Sequence, residues 1–178
     1  MDACRVTVRD RGGDIELTRE DFLKYATHEN VIAAALMIRL CRFAFARLSP
    51  GEPVRRRELY WQVGFPGAGI LDCIEMASHA VREGRCLQNP TLRRPGAPLS
   101  VAGCFVFQIA YRGKTLAVWP DASVFDDEFR AQVAAWQSAD EDSQGYRAYL
   151  AYKDAKVRQI MQLPDEALFH CEWEREEN

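Results

Sequence analysis

The chain has 178 residues, of which 48% are hydrophobic and 28% charged, and its net charge is −3. That is ordinary globular composition at the length of one domain, long enough to bury roughly 70% of the surface of the unfolded chain without disulfide staples. The slight negative charge argues against general nucleic-acid binding, which a basic excess usually marks.

Residues 1–14 are charged and lack an apolar core, so no signal peptide is expected. The longest apolar run, residues 31–38, stops at Arg39 and is far short of the ~20 residues of a membrane helix. The expectation is a cytoplasmic protein with no membrane or nucleic-acid partner. Six cysteines (Cys4, Cys41, Cys73, Cys86, Cys104 and Cys171) include no CxxC pair and are read as reduced thiols. Cys41 and Cys104 sit in apolar stretches and read as core residues. Cys86 follows Arg85, which would lower its pKa, but buried structural cysteine is the better reading for it and for Cys73.

In chain order, Arg5-Val-Thr-Val8 alternates like a short strand or arm, and Gly12-Gly13 breaks it. Residues 1–17 read as an N-terminal arm, 18–170 as the domain, and 171–178 as an acidic tail. Thr18 with Asp21 forms a capping box that opens a short helix over 19–26. A long helix follows from about Asn30 to Leu48, with Ile32, Ala35, Leu36, Leu40 and Phe43 on one stripe and Arg39, Arg42 and Arg47 mostly off it. Ser49-Pro50-Gly51 ends it.

Residues 59–63 read as a strand, and the glycine-rich bend at 64–69 opens a helix over 70–82, capped by Gly84. Its buried stripe is Ile70, Ile74, Ala77 and Val81, while Asp72, Glu75 and His79 share another face. A short strand at 85–88, a proline-rich loop at 89–98 and a hairpin of strands 101–111 and 115–119 follow. Helices over 122–136 and 145–161 flank an acidic loop, and Leu163-Pro164 stops the second before a turn at 165–168. The basic runs Arg55-Arg56-Arg57 and Arg93-Arg94 read as solvated loop charge. This order is not a βαβ alternation; it predicts a single α+β domain, a mixed and mostly antiparallel sheet packed against several helices.

Three segments carry a family resemblance. Residues 69–87, Gly-Ile-Leu-Asp-Cys-Ile-Glu-Met-Ala-Ser-His-Ala-Val-Arg-Glu-Gly-Arg-Cys-Leu, are similar to CxxDAIQxxTGCTxGKGNL, with Asp72, Ile74 and Leu87 on matching positions. Residues 113–121 resemble a glycine-led strand before an acidic helix, and residues 157–169 a closing helix with a leucine-proline-acidic-phenylalanine ending. In that order they resemble the FmdE-like family, named for a component of formylmethanofuran dehydrogenase, over most of residues 18–170. The resemblance implies a pocket where the N-terminus of the long helix meets the helix bearing Asp72. The family enters its long helix through HGHxCPG. The matching stretch here, Thr27-His-Glu-Asn-Val-Ile-Ala-Ala34, keeps one histidine, His28, and Gly69 stands in place of the motif cysteine. The cysteine-ligated metal site is therefore not carried over intact, because the soft ligands it would use are gone.

At those two places the chain offers His28, Glu29 and Asn30 on one side and Asp72, Glu75 and His79 on the other. They are the candidate ligand-binding residues, with His28 as a residual metal ligand. An oxygen-rich set of this kind prefers a hard divalent cation, an organic ligand such as a small anionic one, or only water over a thiophilic metal. The plainer readings are helix capping by Asn30 and a solvated face for Asp72, Glu75 and His79. The functional expectation is a divergent accessory or small-ligand- or metal-binding protein. The alternative is an enzyme on a small anionic or one-carbon-carrier substrate, with Asp72 or Glu75 as base and His79 as acid. P-loop, GxSxG and HExxH motifs are absent. Phe43 and Phe45 fall on different faces of the long helix, and Phe65, Trp119 and Trp136 add aromatic surface, which suggests a homodimer.

Overall fold

The computed structural model describes residues 4–175. Thr18 and Asp21 form the reciprocal capping box: the Thr18 hydroxyl accepts from the Asp21 N–H at 3.3 Å, and the Asp21 carboxylate accepts from the Thr18 N–H at 2.8 Å. Helix α1 is Arg19–Ala26, and a 3₁₀ turn, His28–Asn30, leads into α2, Val31–Leu48. Helices α3 (Ala68–Ser78), α4 (Asp127–Trp136), α5 (Gln144–Gln162) and α6 (Asp165–Leu168) follow.

The strands form two sheets. In the first, β1 (Arg5–Asp10) lies between β2 (Gly13–Thr18) and β3 (Val54–Arg55). The second has the order β5-β4-β6-β7-β8, from β4 (Tyr60–Val63), β5 (Cys86–Gln88), β6 (Phe107–Tyr111), β7 (Lys114–Pro120) and β8 (Phe169–Trp173). The β1–β3 and β4–β5 pairs are parallel and the rest antiparallel. The fold is α+β. Arg112 and Gly113 both have positive φ, 49° and 76°, as in the type I′ turn whose twist matches its strands, and this sets the β6–β7 register. Among the described residues no helix is long and apolar enough to cross a membrane.

Several local expectations are corrected. The alternation at residues 5–8 is a strand and not an arm, and it extends into a hairpin over residues 5–18 with Val6, Val8 and Leu17 buried in the main core. Gly13 turns that hairpin at φ 131° instead of merely breaking a strand. The chain beyond Phe169 does not leave as a tail at once, since it pairs antiparallel with β7 as far as Trp173. Helix α2 is enclosed on nearly every side, so Arg39, expected off the apolar stripe, is 3% exposed. Arg56 is buried too, donating to the Met76 carbonyl at 2.5 Å. Helix α3 stops at Ser78, because His79 turns left-handed at φ 57°. Helix α4 starts at Asp127, where Asp126 caps it by accepting from the Phe129 N–H at 2.9 Å. Phe43 packs on Phe169 at 5.2 Å between ring centroids and Phe45 on Trp61 at 6.2 Å. These two of the five aromatics that suggested a second copy are thus buried within the chain.

Candidate functional site

The N-terminal end of α2 borders a cavity of about 310 Å³. Ile32, Ala33 and Leu36 present its α2 side, and Phe65, Phe105, Phe125 and Phe129 wall it. These four phenylalanines come from three stretches of chain, with Phe125 and Phe129 four residues apart, but stack as one group. Phe105 lies 4.6 Å from both Phe65 and Phe125, and Phe125 meets Phe129 edge-on at 4.8 Å. Offset and edge contacts of this kind hold rings in place beyond their simple burial, so the wall is preformed. Helix α5 closes the far side with Tyr146, Tyr149 and Lys153, one turn apart on one face.

Lys153 brings a cationic group deep into this wall from the interior of a helix, and it is 6% exposed. Its Nζ donates to the Glu29 carbonyl at 3.1 Å and sits 4.9 Å from the Tyr149 ring centroid and 6.0 Å from that of Tyr146. Among the described residues no carboxylate comes within 4.0 Å of it. Burial holds its pKa below the ordinary lysine value, partly offset by the charges of Glu29 and Asp154. An ammonium there is desolvated and only partly repaid in hydrogen bonds.

The α2 N-terminus does meet α3. A Cβ placed on Gly69 would lie 2.6 Å from Asn30 Cγ, so Gly69 must be glycine or nearly so for the two helices to close. The Asn30 side chain gives α2 no cap; its Nδ2 turns back to the Ala26 carbonyl and to Thr27 Oγ1. Thr27 accommodates this bend at φ 70°.

The six sequence candidates are not gathered in one place. Glu29 and Asn30 line the cavity; His28, Asp72, Glu75 and His79 do not. His28 is exposed in the 3₁₀ turn. Asp72 makes no hydrogen bond or ion pair among the described residues, and partial burial raises its pKa. Glu75 and His79 do approach, at 3.5 Å, but at the opposite end of α3. There the Glu75 carboxylate accepts from the Arg82 N–H at 3.0 Å and closes the end of the helix. Burial, then the nearby Arg56 charge, lowers the His79 pKa. Among the described residues no three His, Cys, Asp or Glu side chains converge in a way that would hold a metal ion. Cys86 is no activated thiol: burial and Glu75 push its pKa up to about 11.

The cavity's main residues were not singled out in the sequence. The signal for Lys153 was present: Tyr149, Lys153, Lys156, Val157 and Ile160 are all buried and follow the helical period, so two lysines sit in an apolar stripe. Phe125 and Phe129 are a local pair four residues apart, but Phe65 and Phe105 join them only through tertiary folding. No protein-family model matches the chain, and no curated protein matches it.

Proposed function

We propose that the protein binds a compact, largely apolar organic molecule in the cavity between α2, α4 and α5, in a non-catalytic or accessory role. The observation that carries this is the stacked wall of Phe65, Phe105, Phe125 and Phe129 around about 310 Å³ of space. Specific small-molecule sites are concave, mostly apolar and preformed, with a few polar groups to orient the ligand, and this volume is near their lower limit of roughly 300 Å³. The FmdE-like resemblance is part of the same reading. Its expected pocket, at the N-terminus of the long helix beside the Gly69 helix, adjoins the cavity. Asn30 fills the space next to Gly69 where the family pattern has its cysteine, which favours an organic ligand over a thiophilic metal.

The test is ligand-induced stabilisation with 2-naphthol, followed by thermal unfolding and by calorimetry. Binding at a hundredfold excess over Kd would stabilise the fold by about 2.7 kcal/mol. Ala33→Trp, which fills the cavity from α2, should abolish the response while the variant stays folded. No response from the wild-type protein, or an undiminished response in Ala33→Trp, refutes the reading.

A further inference from the structure

We infer that Lys153 makes this cavity selective for an organic anion, in particular an aromatic monocarboxylate, a conclusion that rests on the cavity being a ligand site. The argument begins with what surrounds the other buried guanidinium and ammonium groups. Arg39 has the Asp165 carboxylate at 2.6 Å, and Arg56 has Asp10 at 3.7 Å. Lys156 donates to the Val124 carbonyl at 2.7 Å and does not line the cavity. Arg39 borders a second recess, where Asp165 already pairs it, and of these four cations Lys153 alone lines the phenylalanine-walled cavity. It has three N–H donors, and the Glu29 carbonyl takes one.

The two remaining donors and the charge have no fixed anion among the described residues. Glu29 and Asp154 act on Lys153 only through space, and the tyrosines Tyr146 and Tyr149 offer it ring faces. A carboxylate entering from the cavity would take the free donors in charge-assisted hydrogen bonds, the stronger kind. The ring system attached to it would lie against the phenylalanine wall, where offset and edge-on contacts are available. An uncharged ligand of the same shape would gain the wall but leave the ammonium as it is. A cationic ligand would be repelled by it. The site therefore discriminates by charge at one end and by shape at the other.

The experiment compares 2-naphthoate with 2-naphthamide by calorimetry on the full chain at pH 7. The two share a ring system and differ at the group that would meet Lys153. Naphthoate should bind about tenfold tighter or more. Lys153→Met should remove that preference by weakening naphthoate about tenfold, with naphthamide changed by less than threefold, and Lys153→Arg should retain it. The preference of the wild-type protein should also fade as pH rises and Lys153 loses its proton, at a pH below the ordinary lysine pKa. Equal or weaker binding of naphthoate overturns the inference and leaves the cavity as a neutral-ligand site. Binding of neither compound overturns the ligand-site reading as well. An unchanged preference in a folded Lys153→Met variant would place the anion elsewhere and overturns the inference directly.

Discussion

Helices α2 and α5 are joined by a buried cation at two levels, and the two levels are built differently. At one, Arg39 of α2 donates to the Ile160 and Leu163 carbonyls at 2.7 and 2.6 Å and to Asp165 at 2.6 Å. At the other, Lys153 of α5 reaches the Glu29 carbonyl and two tyrosine faces. Residues 29 and 39 lie roughly 15 Å apart along the helix direction, so the environments are independent. At the first, both terminal nitrogens of Arg39 have partners and a carboxylate pairs the charge, and only Nε lacks a partner. At the second, one of three donors is taken and no carboxylate among the described residues pairs the charge beside the cavity. Desolvating a cation is costly in both places. A protein that pairs the charge at one level and leaves it without a carboxylate beside a cavity at the other has built two different environments for a buried cation.

The largest expected effect tests whether the Arg39 level is a structural tie. Ending the chain after Met161 removes Asp165 together with Leu168 and Phe169, which are buried at 0% and 4% exposure. The loss of these large apolar side chains, with partly buried Leu163, should cost about 4–8 kcal/mol in urea unfolding. A truncated protein of unchanged stability would show that this end is not part of the core. Next in size, Arg39→Met strips the partner from the buried Ile160 carbonyl, the part-buried Leu163 carbonyl and Asp165, and should cost about 3–5 kcal/mol.

That level also has a pH signature. Burial raises the Asp165 pKa, but the hydrogen bonds and charges of Arg39 and Arg42 outweigh it and hold the group below its ordinary value. Asp165 therefore adds stability that is present at neutral pH and is lost as pH falls below about 4, the ordinary aspartate range. Arg39→Met should show a shallower acid loss than the wild-type protein between pH 5 and pH 2.5, roughly the interval over which such a carboxylate titrates.

The Lys153 level should respond in the opposite way. Lys153→Met removes a charge with one hydrogen-bond partner, so stability without ligand should stay the same or rise by about 1 kcal/mol. Because burial lowers the Lys153 pKa, the folded chain gives up this proton before the unfolded chain does. Wild-type stability should gain a small increment as pH rises from the folded pKa toward the unfolded value, and Lys153→Met should lack it. A loss of several kcal/mol in this variant would make Lys153 a tie like Arg39 and erase the contrast. The smallest effect is that of Tyr152→Phe. The Tyr152 hydroxyl is buried on the same helix without a partner, so its removal should be neutral or stabilise by about 1 kcal/mol.

The difference between the levels also explains what could be read in the sequence. Local signals were legible: the Thr18–Asp21 box, the span of α2, the β6–β7 turn at Arg112-Gly113 and the stop at Leu163-Pro164 all depend on neighbouring residues. Pairings across long sequence distance were not. Strand β8 borrows its order from β7, some fifty residues earlier, and its exposed His170, Cys171, Glu172 and Trp173 have no inward-facing alternation to reveal it. The end of α3 was misplaced because a left-handed histidine, rather than the glycine at 84, closes it. In the cavity, Glu29 and Asn30 were reached through the resemblance, whereas no spacing in the chain links Phe65 and Phe105 to the local Phe125–Phe129 pair. Arg39 and Lys153 look alike as single charges in helical stretches. Only their surroundings tell them apart: two carbonyls and Asp165 around Arg39, one carbonyl and a cavity beside Lys153.

The placement of the six thiols has a practical consequence. Cys4, Cys41, Cys73 and Cys104 are buried and Cys86 is half-buried, whereas Cys171 is exposed on the outermost strand of the larger sheet. Burial raises the pKa of Cys41, Cys73 and Cys104 as well as Cys86, and thiolate is the form that alkylating reagents attack. A native molecule therefore offers such a reagent a single ready target, and each further modification counts an opening of the fold. Intact-mass measurement of timed alkylation would read these openings molecule by molecule, and a dye attached at Cys171 would mark the protein without entering its interior.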